Sequence, residues 1–201
     1  TLIGGVGNDT LDGGTGADTI TTGADTDTIV TRSGDGGSSI DLADTVTDFT
    51  DGTDIIGLDS ISYNNLTIQQ GTGNYSDDVI VSLGSEYLLR LQNQQLVDIN
   101  YFDFVSTATT SLTLISESGD GILLGGSGND TATTGSGNDI VVTYGGNDTI
   151  TINGVGNKTI DGGAGIDYLI VDTDNNLNLT DYVVTYDQNT DFITFTSNDE
   201  V

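Results

Sequence analysis

Aliphatic residues recur every nine positions in two stretches of this chain, each surrounded by Gly, Asn, Asp and Thr. From Gly125 to Ile170 the sequence reads GGSGNDTAT, TGSGNDIVV, TYGGNDTIT and, after the extra residue Ile152, NGVGNKTID and GGAGIDYLI. The same period opens the chain with GGVGNDTLD, GGTGADTIT and the weaker TGADTDTIV. A fixed period of this kind predicts a stacked repeat architecture.

Each repeat predicts a turn followed by a short strand. The first six residues suit a turn because Gly tolerates positive φ and close backbone approach. The last three are mostly β-formers with one inward-facing position. In the first array the predicted strands are 10–12, 19–21 and 28–30. Leu11, Ile20 and Ile29 would then line a narrow core, so each unit needs its neighbours to bury it.

The segments after each array have a different pattern. The stretch 44–58 (DTVTDFTDGTDIIGL) follows the first array after a register slip at 33–41. The residues predicted to complete the core there are Val46, Phe49, Ile55 and Leu58. Residues 61–110 alternate apolar and polar positions in DVIVSL, YLLRL and YFDFV, which predicts antiparallel strands that cap the stack. The alternation from Val171 onward, which includes Leu177 and Leu179, predicts a second cap or bridging sheet.

Charge changes this picture. The chain has 31 Asp and Glu against 3 Lys and Arg, a formal net charge of −28. Such a chain repels itself and has few large apolar groups to bury, so we expect it to need an added cation before it folds. Nucleic acid is excluded as a partner because its binding depends on Lys and Arg, and an anionic membrane surface is excluded for the same reason.

The missing residue types restrict the chemistry further. Without Cys or His there is no disulfide framework, no Cys nucleophile, no usual zinc ligand and no common general base. Neither an H-E-x-x-H motif nor a G-x-S-x-G nucleophile elbow occurs. A carboxylate pair for glycoside hydrolysis stays open among so many aspartates, but we predict that the chain is not an enzyme. No apolar run approaches the length of a membrane span, and we expect no signal peptide within this stretch.

The repeat G-G-x-G-x-D-x-U-x, where U is a large aliphatic residue, resembles the RTX (repeats-in-toxin, hemolysin-type) calcium-binding family. Residues 44–58 resemble the segment that closes many RTX rolls, and residues 61–110 resemble the C-terminal region of secreted RTX metalloproteases. The resemblance implies that two nonapeptides form one turn of a right-handed parallel β-roll, with Ca²⁺ between loops stacked on the same side. The residue chemistry agrees, since Ca²⁺ takes six to eight oxygens and a Gly-rich turn with Asp supplies carbonyls and carboxylate.

The expected fold is therefore all-β, with two right-handed parallel β-rolls that are each followed by an antiparallel β cap. The expected domains are a first roll at 1–60, a cap and linker at 61–110, a second roll at 111–172 and a strand-rich cap or bridge at 173–201. Because the chain starts without Met and stops without an obvious end signal, we expect it to be a fragment of a larger protein.

The resemblance implies calcium ligands at the repeat positions, with several ions bound. Asp9 and Asp27 would face one side and Asp18 the other, while Asp25 stands where the fourth-place Gly belongs. Asp44, Asp48 and Asp54 are candidates for the last ligands, and Asp44 and Asp48 stay open between this role and that of solvated turn residues. The predicted metal ligands are Asp9, Asp18, Asp25, Asp27, Asp44, Asp130, Asp139, Asp148, Asp167, Gly5, Gly7, Gly14, Gly16, Gly126, Gly128, Gly135, Gly137, Gly146, Gly163 and Gly165.

Lys158 occupies the sixth place of its repeat, where the others have Asp. On the alternation that the resemblance implies, Asp130, Asp148 and Asp167 share one side, and Lys158 shares the other with Asp139. An ammonium there would repel Ca²⁺, or replace it by neutralising Asp139 directly. We therefore predict one well-formed calcium column beside Asp130 and a weakened or empty gap opposite.

The function predicted from these features is that of a calcium-binding RTX module of a secreted or cell-surface bacterial protein. It would be exported by type I secretion, fold and rigidify on Ca²⁺ outside the cell, and serve a structural or adhesive role. Alternatives are surface-layer assembly, ice binding through recurring Asn and Thr, and a C-terminal secretion module of an RTX enzyme. The partners considered besides calcium are further copies of the chain and a cell-surface polysaccharide.

Overall fold

The computed structural model describes residues 1–171, 182–187 and 192–197, and the chain separates into two compact units, Thr1–Thr107 and Ala108–Val201. The described residues form β-strands and short 3-10 helices, with no α-helix among them. The all-β class is therefore confirmed. No helix in this part of the chain is long and apolar enough to cross a membrane.

The first unit winds its repeats into two parallel sheets. Its strands are β1 (Leu2–Val6), β2 (Thr10–Asp12), β3 (Thr19–Ala24), β4 (Thr28–Thr31), β5 (Asp44–Val46), β6 (Ile55–Leu58), β7 (Leu66–Gln70), β8 (Val79–Leu83), β9 (Glu86–Leu91) and β10 (Phe104–Ser106). The sheet orders are β1-β3-β5-β9-β8-β7 and β10-β6-β4-β2. Strands β1 to β6 thus alternate between the sheets, and their neighbours within each sheet are parallel.

The second unit repeats this alternation. Its strands are β11 (Thr113–Ile115), β12 (Ile122–Leu124), β13 (Thr131–Thr133), β14 (Asp139–Val142), β15 (Thr149–Ile152), β16 (Lys158–Asp161), β17 (Tyr168–Val171), β18 (Tyr182–Asp187) and β19 (Phe192–Ser197). The sheet orders are β11-β13-β15-β17 and β12-β14-β16-β19-β18, with β19 antiparallel to both β16 and β18. Successive repeat strands that alternate between two parallel sheets form a β-roll. The right-handed winding and the division into two rolls stay predictions, and below we use first roll and second roll for the alternating strands of the first and second unit.

The core lies between the two sheets of each roll. Leu11, Ile20 and Ile29 are buried as predicted, and parallel pairing stacks Leu11 against Ile29. In the closing segment Val46, Phe49 and Leu58 are also buried. The prediction of Ile55 was wrong, because Ile56 is fully buried and Ile55 is only partly so. The cause is the pairing of Ile56 with Ile29, which sets the side-chain alternation of β6. The core cluster of the second roll is Leu123, Ala132, Val141, Ile150, Ile152 and Ile160.

The segment 61–110 differs in part from its prediction. The predicted strands DVIVSL and YLLRL occur as β8 and β9, which are antiparallel as expected. Strand β7 was not predicted and pairs antiparallel with β8, while β9 extends the roll by pairing parallel with β5. The predicted strand YFDFV was wrong for its first three residues, because Tyr101–Asp103 forms a 3-10 helix. Its last two residues begin β10, which pairs parallel with β6. A reciprocal capping box explains the 3-10 helix: Asn100 N donates to Asp103 Oδ2 at 2.7 Å and Phe102 N donates to Asn100 Oδ1 at 3.0 Å.

The remaining 3-10 helices of the first unit are Ile40–Leu42, Tyr63–Asn65 and Gly73–Tyr75. In the second unit, β18 and β19 give the backbone of the predicted strand-rich segment. Leu177 and Leu179, which were assigned to the same segment, lie outside the described residues.

Candidate functional site

Sixth-place aspartates stack in columns along the first roll. Asp9 N donates to Oδ1 of Asp27, 18 residues further on, at 2.8 Å, and Asp27 N donates to Asp54 Oδ1 at 3.2 Å. On the opposite side Asp18 N donates to Asp44 Oδ1 at 2.7 Å. Alternate repeats thus share a side, and the carboxylates of Asp27, Asp54 and Asp44 each use one oxygen to hold the preceding turn.

Two of these aspartates have an oxygen that accepts no hydrogen bond. The Oδ2 atoms of Asp9 and Asp27 are buried and have no hydrogen-bond partner, and Asp27 is fully buried. Burial also raises the pKa of Asp44 to about 6. Gly13 is needed beside Asp44, since a Cβ there would lie 2.5 Å from Asp44 Oδ2. An ionised carboxylate that is buried and unpaired is costly, so this arrangement calls for a cation.

The three less regular aspartates serve as hydrogen-bond acceptors. Asp25 adopts a φ of 79°, the positive value that the fourth-place Gly normally supplies, and its Oδ2 accepts from Gly7 N. Asp48 accepts from the backbone N–H groups of Thr22 and Gly23. Asp54 uses one oxygen for the preceding turn and the other for its own loop. Both Asp48 and Asp54 therefore fix the last turn of the roll.

One side of the second roll carries an equivalent column. Leu112 N donates to Asp130 Oδ1 at 2.8 Å, Asp130 N to Asp148 Oδ1 at 2.7 Å and Asp148 N to Asp167 Oδ1 at 2.9 Å. Asp148 is fully buried, its Oδ2 has no hydrogen-bond partner, and burial raises its pKa. This is the column that the sequence predicts as well formed.

The other side of the second roll is built around an ammonium group. Lys158 and Asp139 are both buried and pair at 2.8 Å between Nζ and Oδ2. Lys158 Nζ also donates to the carbonyl oxygens of Gly135 at 2.9 Å, Gly137 at 2.5 Å and Val155 at 3.2 Å. Gly135 and Gly137 are predicted metal ligands, and here their carbonyls converge on the Lys158 ammonium. Their role as metal ligands stays a prediction.

These donors fit a hard cation. Among the described residues no group of three or more carboxylates gathers, so a site between two turns would draw on about two. Because Ca²⁺ takes six to eight oxygens, loop carbonyls must supply much of the shell. The Lys158 loop shows that carbonyls of the second and fourth repeat places point inward together with the sixth-place carboxylate. The predicted ligand glycines lie in such loops, except that Gly5 falls at the end of β1.

Two acidic residues that the sequence analysis missed complete the loops. Asp120 Oδ1 accepts from Asn138 N at 2.7 Å, and its spacing of 18 residues is a signal that could have identified it. Glu86 Oε1 accepts from the N–H groups of Gly34 and Gly36, which fastens the irregular loop of the first roll to β9. The sequence gives no sign of this second contact, since Glu86 lies outside both arrays.

Asparagines at the fifth repeat place form a ladder of their own. The Oδ1 atom of Asn8 accepts from Thr26 N, that of Asn129 from Asn147 N, and that of Asn138 from Asn157 N. Each side chain therefore bonds to the backbone of the next turn on its side. This stacking explains why Asn recurs at this place.

Comparison with known protein families agrees with the geometry. Residues 1–37 and 115–150 match the family model described as the RTX calcium-binding nonapeptide repeat (4 copies). The matched segments contain Asp9, Asp18 and Asp27 of the first unit and Asp130, Asp139 and Asp148 of the second, whereas Asp44, Asp54 and Asp167 lie outside them. No curated protein matches the chain.

Proposed function

We propose that this chain, which matches the RTX calcium-binding nonapeptide repeat at residues 1–37 and 115–150, is a calcium-dependent structural module of a secreted or cell-surface bacterial protein. It binds several Ca²⁺ ions between stacked loops, and these ions fold and rigidify the rolls. Its role is to hold, space or attach other parts of that protein outside the cell.

The observation that carries this proposal is the set of buried carboxylate oxygens without partners at Asp9, Asp27 and Asp148. The three basic side chains do not serve them, since Arg32 pairs with Asp12, Arg90 lies 3.7 Å from Asp78 and Lys158 pairs with Asp139. Ca²⁺ between the loops would neutralise these oxygens. The residues that would hold it are the column aspartates and the loop carbonyls of the second and fourth places.

Linkage turns this binding into folding. An ion that binds the folded loops far better than the unfolded chain adds its binding free energy to stability. In a cytosol poor in calcium the chain would stay extended, which suits export. RTX repeat proteins are typically secreted, and calcium outside the cell would then fold the chain after export.

Circular dichroism of the whole chain in millimolar Ca²⁺ and in EDTA tests the proposal directly. We expect β-structure with calcium and its large loss on chelation. Mg²⁺ at equal concentration is the control, and it should restore less because Mg²⁺ demands a tight octahedron and keeps its waters. Unchanged β-structure in EDTA would contradict the proposal.

The described geometry favours neither ice binding nor catalysis. The Asn ladder is a stacking device between turns, so the recurrence of Asn does not favour ice binding. The RTX repeat is a structural calcium-binding repeat and not a catalytic one. We accordingly assign no catalysis to this chain.

A further inference from the structure

Lys158 is fully buried at the sixth repeat place, where the other repeats have Asp. It begins β16, pairs across the sheet with Asp139 of β14 and has no solvent-exposed surface. A lysine is almost never fully buried unless it is paired, because removing an ammonium group from water is costly. The loops around it must therefore compensate its charge.

The compensation comes entirely from oxygen atoms. One carboxylate oxygen of Asp139 and three backbone carbonyls, those of Gly135, Gly137 and Val155, lie 2.5–3.2 Å from Nζ. An ammonium group has three N–H donors, so four oxygens exceed what a simple ion pair would use. The shell mixes one carboxylate with inward carbonyls, which is the ligand chemistry that a hard metal ion prefers.

The two sides of the second roll differ in what lies beside the buried carboxylate oxygen. Beside Asp148, where the next repeat on that side supplies Asp167, a buried carboxylate oxygen lacks a hydrogen-bond partner. Beside Asp139, where the next repeat supplies Lys158, the corresponding oxygen also accepts no hydrogen bond, but it lies 2.8 Å from the Lys158 ammonium, whose charge neutralises it. The lysine thus occupies the place of the cation that the other side still needs.

We propose that Lys158 is a built-in substitute for a calcium ion, which closes the loops 135–139 and 153–158 on each other without metal. This inference rests on the proposed function, since it assumes that the other loops bind Ca²⁺. An ion at this position would lie within a few ångströms of the ammonium and be repelled. The second roll therefore contains a calcium-free loop pair, around which the calcium-dependent loops can assemble.

Amide hydrogen exchange of the unaltered chain in EDTA, resolved by NMR, tests this. The amides of Gly137 and Asp139 donate to the carbonyls of Val155 and Asn157 and report on the Lys158 loops. Those of Asp130 and Asp148 report on the opposite column. We expect the first pair to keep protection in EDTA while the second pair loses it. Equal loss in both pairs overturns the inference.

The variant Lys158→Asp provides a second measurement. It restores the sixth-place carboxylate, so we expect calorimetry to show one more Ca²⁺ bound per chain, and protection at Gly137 and Asp139 to become calcium-dependent. Asn138→Asp is the matched control: it adds a carboxylate to the same loop and keeps the acceptor for Asn157 N, as Asp120 does one turn earlier. It should leave the calcium count unchanged.

The outcomes separate the two proposals. If the unaltered chain binds no Ca²⁺, the proposed function fails. If it binds Ca²⁺ but Lys158→Asp adds none, or the control adds as many, the substitution of metal by lysine fails while the proposed function stands. If Lys158→Asp does not fold in calcium, the exchange experiment on the unaltered chain still decides.

Discussion

At the scale of single residues, Asp27 combines two roles in one carboxyl group. Its Oδ1 accepts from Asp9 N and holds the preceding turn, while its Oδ2 is buried without a partner. An asparagine keeps the first role and removes the charge that the second offers to a cation. The two roles can therefore be separated by one isosteric change.

We predict that Asp27→Asn weakens calcium binding by about tenfold or more, because the charge of the ligands sets affinity in such sites. Without metal, the variant should also fold more readily than the unaltered chain, because position 27 no longer buries an unpaired charge. Calcium titrations followed by circular dichroism measure both effects.

Asp98→Asn is the control for this change, because Asp98 is exposed and lies outside the columns. It should shift neither the titration midpoint nor the metal-free signal. A midpoint for Asp27→Asn within twofold of the unaltered chain would contradict a ligand role.

The sequence indicates the site residues well where the nine-residue period continues. With the alternation that the family resemblance implies, a spacing of 18 residues places Asp9 over Asp27 and Asp130 over Asp148. The extra residue Ile152 lengthens this spacing to 19 residues for Asp139 and its partner Lys158. The spacing does not show that Val155 O joins the ammonium, nor that Glu86 fastens a loop of the first roll. Such contacts depend on how loops distant in sequence approach each other, which no local pattern encodes.

At the scale of elements, the turns stack so closely that side chains are excluded at some glycines and not at others. Gly16 and Gly23 both have a φ of 107°. A Cβ on Gly16 would meet nothing within 4 Å, whereas one on Gly23 would lie 2.2 Å from Gly5 O in β1. Substitutions at these two glycines therefore separate the cost of the positive φ from the cost of steric overlap between β1 and β3.

Gly16→Ala should cost about 1–3 kcal/mol of unfolding free energy from the positive φ alone. Gly23→Ala should cost roughly 1–3 kcal/mol more, because β1 must move away from β3. Denaturant unfolding at saturating calcium gives both values. Equal losses of unfolding free energy in the two variants would show that β1 and β3 move apart without measurable cost.

The elements themselves were predictable to the extent that local pattern decides them. The strands at 10–12, 19–21 and 28–30 occur where β-formers follow a Gly-rich turn, although pairing extends β3 to Ala24. The segment YFDFV has the alternation of a strand, yet the capping box of Asn100 and Asp103 gives its first residues a better local arrangement. Alternation alone does not reveal such competition between side-chain and ladder hydrogen bonds.

At the scale of the whole molecule, two kinds of negative charge oppose folding. Exposed aspartates repel each other through solvent, and salt screens this repulsion. The buried Oδ2 atoms of Asp9, Asp27 and Asp148 are beyond the reach of diffuse counterions. A net charge of −28 arises from both kinds, so net charge alone does not tell which of them calcium relieves.

Comparing the effects of NaCl and Ca²⁺ on folding distinguishes the exposed charges from the buried ones. In EDTA, 1 M NaCl shortens the screening length to about 3 Å, and we predict that the chain still lacks most of its β-structure because the buried carboxylates remain unpaired. Millimolar Ca²⁺ at low ionic strength should restore that structure, since it reaches the loops as a bound ion. Circular dichroism and sedimentation velocity on the same samples measure structure and compactness. If NaCl alone restored both, general repulsion would be the main barrier to folding, and the columns would not need a bound metal.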